Sequence, residues 1–103
     1  MVMRMLLNVK FPHDEFNKAV RDGTVGQKIG RILEDAKPEA VYFTDQDGQR
    51  SAILVINLVD PSQIPAFAEP WFLTFKADVK FQVVMTPGDL QKAGLEELGK
   101  KYS

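Results

Sequence analysis

The chain contains no cysteine, a single histidine and a single tryptophan among its 103 residues. Without cysteine there are no disulfides, no thiolate metal sites and no thiol nucleophile. With one histidine, Ser-His-Asp and similar triads have only His13 to draw on. A reducing cytoplasm is the plain reading of the missing thiols. Net charge is also small, at -1, with a pI of about 5.8, so no basic footprint invites nucleic acid. No apolar run approaches the roughly 20 residues that cross a bilayer, and no membrane association is expected. The start, Met1-Val2-Met3-Arg4-Met5-Leu6-Leu7, superficially resembles a signal peptide, but Asn8, Lys10 and Pro12 interrupt it and no small-residue cleavage site follows. Repeats and low-complexity tracts are absent.

What remains is an ordinary globular composition, 45% hydrophobic and 26% charged. That is enough for one domain over 1-103 with its own core. The organising stretch is Ala40 to Asp60. Two runs rich in β-branched and aromatic residues flank Asp47-Gly48, a strong hairpin signal. From Ser51 to Val59 both alternating sets are apolar: Ala52, Leu54, Ile56 and Leu58 on one face, Ile53, Val55 and Val59 on the other. A strand of this kind is central and covered on both faces.

Before it, Met3, Met5, Leu7, Val9 and Phe11 mark a strand with one apolar face. His13 to Arg21 reads as a short helix. Thr24 is placed to cap a second helix with the stripe Val25, Ile29, Ile32, Leu33 and Ala36. Gly26 and Gly30, four apart, suggest close backbone packing there. After the hairpin, Asp60-Pro61 opens an aromatic-rich helix, with a kink or a split expected at Pro70. Val79 to Met85 is a fourth strand. Thr86-Pro87-Gly88-Asp89 is a capping box that opens one C-terminal helix lined by Leu90, Ala93, Leu95 and Leu98.

The order βαββαβ plus a terminal helix predicts an α+β, ferredoxin-like sandwich with helices on one sheet face. The other face then needs a cover. A second copy of the chain is the simplest, making a homodimer through the open face; a C-terminal helix folded across it is the alternative.

With this topology, the stretch Ala66-Phe67-Ala68-Glu69-Pro70-Trp71-Phe72 and the run Val84-Met85-Thr86-Pro87-Gly88-Asp89-Leu90-Gln91-Lys92-Ala93 give a resemblance to the dimeric α/β-barrel superfamily. That superfamily includes muconolactone-isomerase-like, YciI-like and antibiotic-biosynthesis-monooxygenase-like proteins. Arg21-Asp22-Gly23 and Glu69-Pro70-Trp71-Phe72 further resemble an uncharacterised bacterial family of small proteins. The resemblance implies two sheets paired face to face into a barrel. It is nearly silent on activity, since one fold hosts many chemistries. The cofactor-free and haem-degrading monooxygenases of the superfamily use an Asn on strand one and a Trp after strand three, positions that Asn8 and Trp71 match. No helical histidine matches the haem ligand, and no cofactor or metal is expected. An RNA-recognition motif needs exposed aromatics on the central strands, which the third strand lacks. Heavy-metal-binding domains of this fold need paired cysteines.

The candidate site residues are few. Asn8 and His13 are weak catalytic candidates, an amide that could orient a carbonyl and an acid/base near neutrality. Tyr42, Asn57, Trp71 and Arg4 are binding candidates. Trp71, with Phe67, Phe72 and Phe75, would wall an apolar pocket, the Tyr42 hydroxyl could reach into a cleft, Asn57 breaks the apolar set of the central strand, and Arg4, like Arg50, could hold a carboxylate. For most of these the ordinary alternative is core packing or surface pairing. The functional expectation is a homodimer that binds or transforms a small aromatic or carbonyl-containing molecule in a cleft between sheet and helices. The alternative is a non-catalytic structural or sensory dimerisation domain.

Overall fold

The computed structural model describes residues 2-103. A four-stranded, wholly antiparallel sheet is built from β1 (Met3–Lys10), β2 (Ala40–Gln46), β3 (Gln49–Leu58) and β4 (Asp78–Val83), in the spatial order β2-β3-β1-β4. Helices α1 (His13–Arg21) and α2 (Val25–Ala36) join β1 to β2. A 3-10 turn (Pro61–Gln63) and α3 (Ile64–Phe75) join β3 to β4. Two short helices follow, α4 (Pro87–Lys92) and α5 (Leu95–Lys101). The architecture is α+β and compatible with a ferredoxin-like fold. No described helix is long and apolar enough to cross a membrane.

Alternation explains which side is covered. Met5, Leu7 and Val9 of β1 lie in register with Ile56, Leu54 and Ala52 of β3, and all six are buried. Ala19 of α1, Ile32 of α2, and Trp71 and Phe75 of α3 close over them. Phe11, just past β1, sits at the centre of this layer, with its ring 5.8 Å from Trp71 and 5.1 Å from Phe75 in edge-to-face contact. Such pairs add to the burial of large apolar area.

The hairpin turn is as the sequence predicts. Gln46 pairs with Gln49, and both turn residues have positive φ, 54° at Asp47 and 77° at Gly48. That is the backbone of a type I′ turn, whose twist matches the strands. A Cβ at Gly48 would meet no neighbour, so Gly48→Ala carries only the cost of the left-handed backbone. It is expected to destabilise the protein by about 1–2 kcal/mol, read from the shift of the urea midpoint at unchanged slope.

Several local expectations need correction. Thr24 precedes α2 but makes no side-chain cap; its hydroxyl donates to the Asp22 carboxylate at 2.5 Å instead, because Asp22 already receives the Thr24 backbone N–H. Gly26 and Gly30 permit no close approach: a Cβ at either would meet open space. The α3 helix runs through Pro70 as one twelve-residue helix, although Pro70 offers no N–H to the carbonyl four residues back. The single C-terminal helix is two, because Gly94 adopts φ 72° between them. The Thr86–Asp89 capping box is present, with the Asp89 N–H donating to Thr86 Oγ1 at 3.1 Å and the Thr86 N–H to Asp89 Oδ2 at 3.0 Å.

The terminal helices do not fold back across the open sheet face. Neither buries a residue or packs substantially on the body. The described chain therefore measures 59 × 29 × 19 Å, with a radius of gyration of 17.1 Å. A compact domain of this length has about 13 Å.

Candidate functional site

The uncovered sheet face is framed by polar clusters at both ends and apolar between them. At one end Arg4 of β1 grips Glu39, just before β2, with two parallel bonds: Nε to Oε2 at 3.1 Å and Nη2 to Oε1 at 3.0 Å. Asn57, opposite Arg4 in the β1–β3 register, donates to the same carboxylate at 2.7 Å. These bonds, Arg4 first, hold the Glu39 carboxyl below its ordinary range and raise Arg4. The cluster is half exposed, so its contribution to stability is modest.

At the hairpin end two bonds leave β1, one for β2 and one for the hairpin turn. Gln46 donates its amide to Asn8 Oδ1 at 2.7 Å, and Lys10 Nζ lies 3.1 Å from Asp47 Oδ2. Both pass across β3 at Ser51, the register partner of Lys10 and Thr44. This covering accounts for the burial of Ser51, 2% exposed on a face otherwise open. Beside these bonds lies a cleft of about 420 Å³. Asn8, Lys10 and Gln46 line one side, Val79 and Lys80 of β4 the other, and Phe72 of α3 its rim.

Between the two clusters runs an apolar band. Leu6, Val55 and Ala40 lie side by side across β1, β3 and β2, and Ile53 and Tyr42 form the next row. Leu6, Ile53 and Val55 are half-buried, and Tyr42 is 64% exposed.

The sequence candidates therefore separate. Asn8 is brought to the cleft, and Arg4 and Asn57 meet at the far cluster. Tyr42 stands on the apolar band. His13 is exposed at the first position of α1, remote in role from the open face. Trp71 has no exposed surface; it stacks in the core with Phe75, and its Nε1–H has no partner. The space between α3 and the sheet is filled by these rings, and the cleft lies instead at the margin where Phe72 reaches the start of β4. Glu39, Lys10, Gln46 and Lys80 were not singled out from sequence. Lys10 and Gln46 share the parity of Asn8 and Tyr42 on their strands, which was the available signal. Glu39 falls outside any strand pattern, directly after Pro38.

Chemically, the cleft offers the amides of Asn8 and Gln46, the ammonium groups of Lys10 and Lys80, the carboxylates of Asp47 and Asp78, and an apolar rim. Lys10, Glu39 and Asn8 are already engaged by neighbours. Among the described residues, no three His, Asp or Glu side chains gather closely enough to hold a metal ion. No known protein family, curated protein or solved structure matches the chain.

Proposed function

We propose that the protein works as a homodimer in which two open sheet faces pair as a dimeric α/β barrel, and that the Asn8 cleft takes a small aromatic or carbonyl-containing molecule. The observation that carries this reading is the apolar band of Leu6, Ile53, Val55 and Tyr42, left without cover by its own chain. An apolar centre inside a polar frame is the composition of a protein interface, and a self-complementary patch is satisfied by a two-fold axis. In the cleft, the Asn8 and Gln46 amides would hydrogen-bond a carbonyl, and Phe72 and Val79 would contact a ring. Pairing the faces would also exclude water from the Asn8–Gln46 bond and strengthen it.

A second reading, a non-catalytic structural or sensory dimer, is favoured by one observation. Each titratable or amide group of β1 on this face already has a partner, so none of these is free to move a proton.

Native mass spectrometry of the freshly purified protein tests both. The expected species is twice the 11.6 kDa chain with a stoichiometric small-molecule adduct. A bare dimer would favour the second reading. A bare monomer would overturn the pairing itself.

A further inference from the structure

Two charges in the Asn8 cleft are left over once its internal bonds are made. Lys10 holds Asp47 at 3.1 Å, and Gln46 donates to Asn8 at 2.7 Å. Asp78 and Lys80 of β4 also line the cleft. Among the described residues they form no ion pair, either with each other or with a neighbour. They stand in register with Lys10 and Asn8, so both lie on the open face. Two residues apart on one strand, their Cα atoms are separated by about 7 Å.

Their opposite signs restrict what suits the cleft. A ligand with only a negative charge would answer Lys80 and face Asp78 unpaired. A ligand with only a positive charge would do the reverse. A molecule carrying one charge of each sign answers both. The amides follow the same division. Asn8 lies beside Lys80, and with its oxygen taken by Gln46 it has N–H donors to offer, which suit a carboxylate. The spacing calls for two charges held close together. The ammonium and carboxylate of an α-amino acid flank one carbon, and a charge-assisted bond of about 2.8 Å on either side bridges the rest of the gap. Phe72, 40% exposed at the rim, presents a face for a ring.

We propose that the cleft binds an aromatic α-amino acid as its zwitterion. Its carboxylate lies between Lys80 Nζ and Asn8 Nδ2, its ammonium on the Asp78 carboxylate, and its ring against Phe72. The proposal rests on the cleft reading above and narrows its substrate class. The cleft volume, about 420 Å³, is within the range of small-molecule sites.

Four probes that share a phenyl ring and differ in charge make the test. Phenylalanine carries both charges, 2-phenylethylamine the positive, 3-phenylpropanoate the negative, and acetophenone neither. Each is titrated at neutral pH into the isotope-labelled full-length protein, and the side-chain amide signals of Asn8 and Gln46 are followed by NMR. Phenylalanine is expected to shift them and to bind at least about tenfold more tightly than any of the others. Lys80→Met should lower its affinity to that of 2-phenylethylamine for the parent, and Asp78→Asn to that of 3-phenylpropanoate. Both side chains are exposed, so these variants should fold as the parent does. Equal binding by all four probes, or tightest binding by acetophenone, would overturn the zwitterion and leave an aromatic cleft standing. Tightest binding by either singly charged probe would overturn it too, and would mark a site for one charge alone. Unchanged phenylalanine affinity in both variants would place the amino acid elsewhere. No shift with any probe would remove the cleft reading together with the proposal.

Discussion

Replacing Trp71 with alanine is expected to lower the stability of the fold by about 3–5 kcal/mol, the usual cost of truncating a large buried ring. Trp71 is wholly buried on α3, meets Phe11 at 5.8 Å and Phe75 at 6.5 Å, and fills the layer between that helix and the sheet. No neighbouring side chain is placed to collapse into the space, since Phe11 and Phe75 are themselves held by each other and by Phe16. A loss of that size is a large share of the roughly 5–15 kcal/mol that a domain has in total, so much of the variant should be unfolded at 37 °C. Trp71→Phe separates packing from polarity. It keeps a ring and deletes an N–H that is buried without a partner, so it should cost much less than the alanine change. Urea unfolding of the three proteins measures both. An alanine variant within about 1 kcal/mol of the parent would show that the aromatic layer relaxes freely, against the close packing of protein interiors.

For the dimer proposed above, the double substitution Ile53→Glu with Val55→Glu is expected to abolish association at micromolar concentration while leaving the subunit folded. Both side chains sit on the central strand in the middle of the open face, in register with Asn8 and Leu6. In a lone subunit they are half-buried at the surface, and glutamate there would change stability by about 1 kcal/mol or less. Between two paired sheets, each substitution places a carboxylate opposite apolar partners and near its own symmetry mate. Desolvating an unpaired charge costs several kcal/mol, and four of them meet in the dimer, so the affinity should fall by more than about 1,000-fold. Sedimentation equilibrium with circular dichroism distinguishes the outcomes. A folded monomer is the expected result; a folded dimer would show that the subunits associate through another surface.

The two expectations differ in how visible they were before folding. The β1 alternation from Met3 to Phe11 and the doubly apolar run in β3 could be read directly, because a side chain's face on a strand follows from its parity alone. The Asp47-Gly48 turn and the Thr86-Asp89 cap were equally plain, since each is decided by backbone geometry within four residues. Trp71 was less so. Its spacing on α3 fits both a pocket wall and a core residue, and burial was settled by Phe11 and Phe75 closing around it. The cleft could not be placed from sequence, because Asn8, Gln46 and Lys80 come from three strands that only the register brings together.

The local matters were legible in the chain alone: the order of the strands and the helices between them, the tight turn at Asp47-Gly48, the central place of β3 and the presence of a face needing cover. Each follows from periodicity or from the dihedral preferences of a few neighbouring residues. It took the folded chain to show that Glu39 joins Arg4 and Asn57, that Gly26 and Gly30 face open space, and that the terminal helices stand clear of the sheet. Those outcomes depend on distances between segments far apart in the chain. They are fixed when strands select their partners and the three residues after β4 carry α4 and α5 away from the body rather than across it.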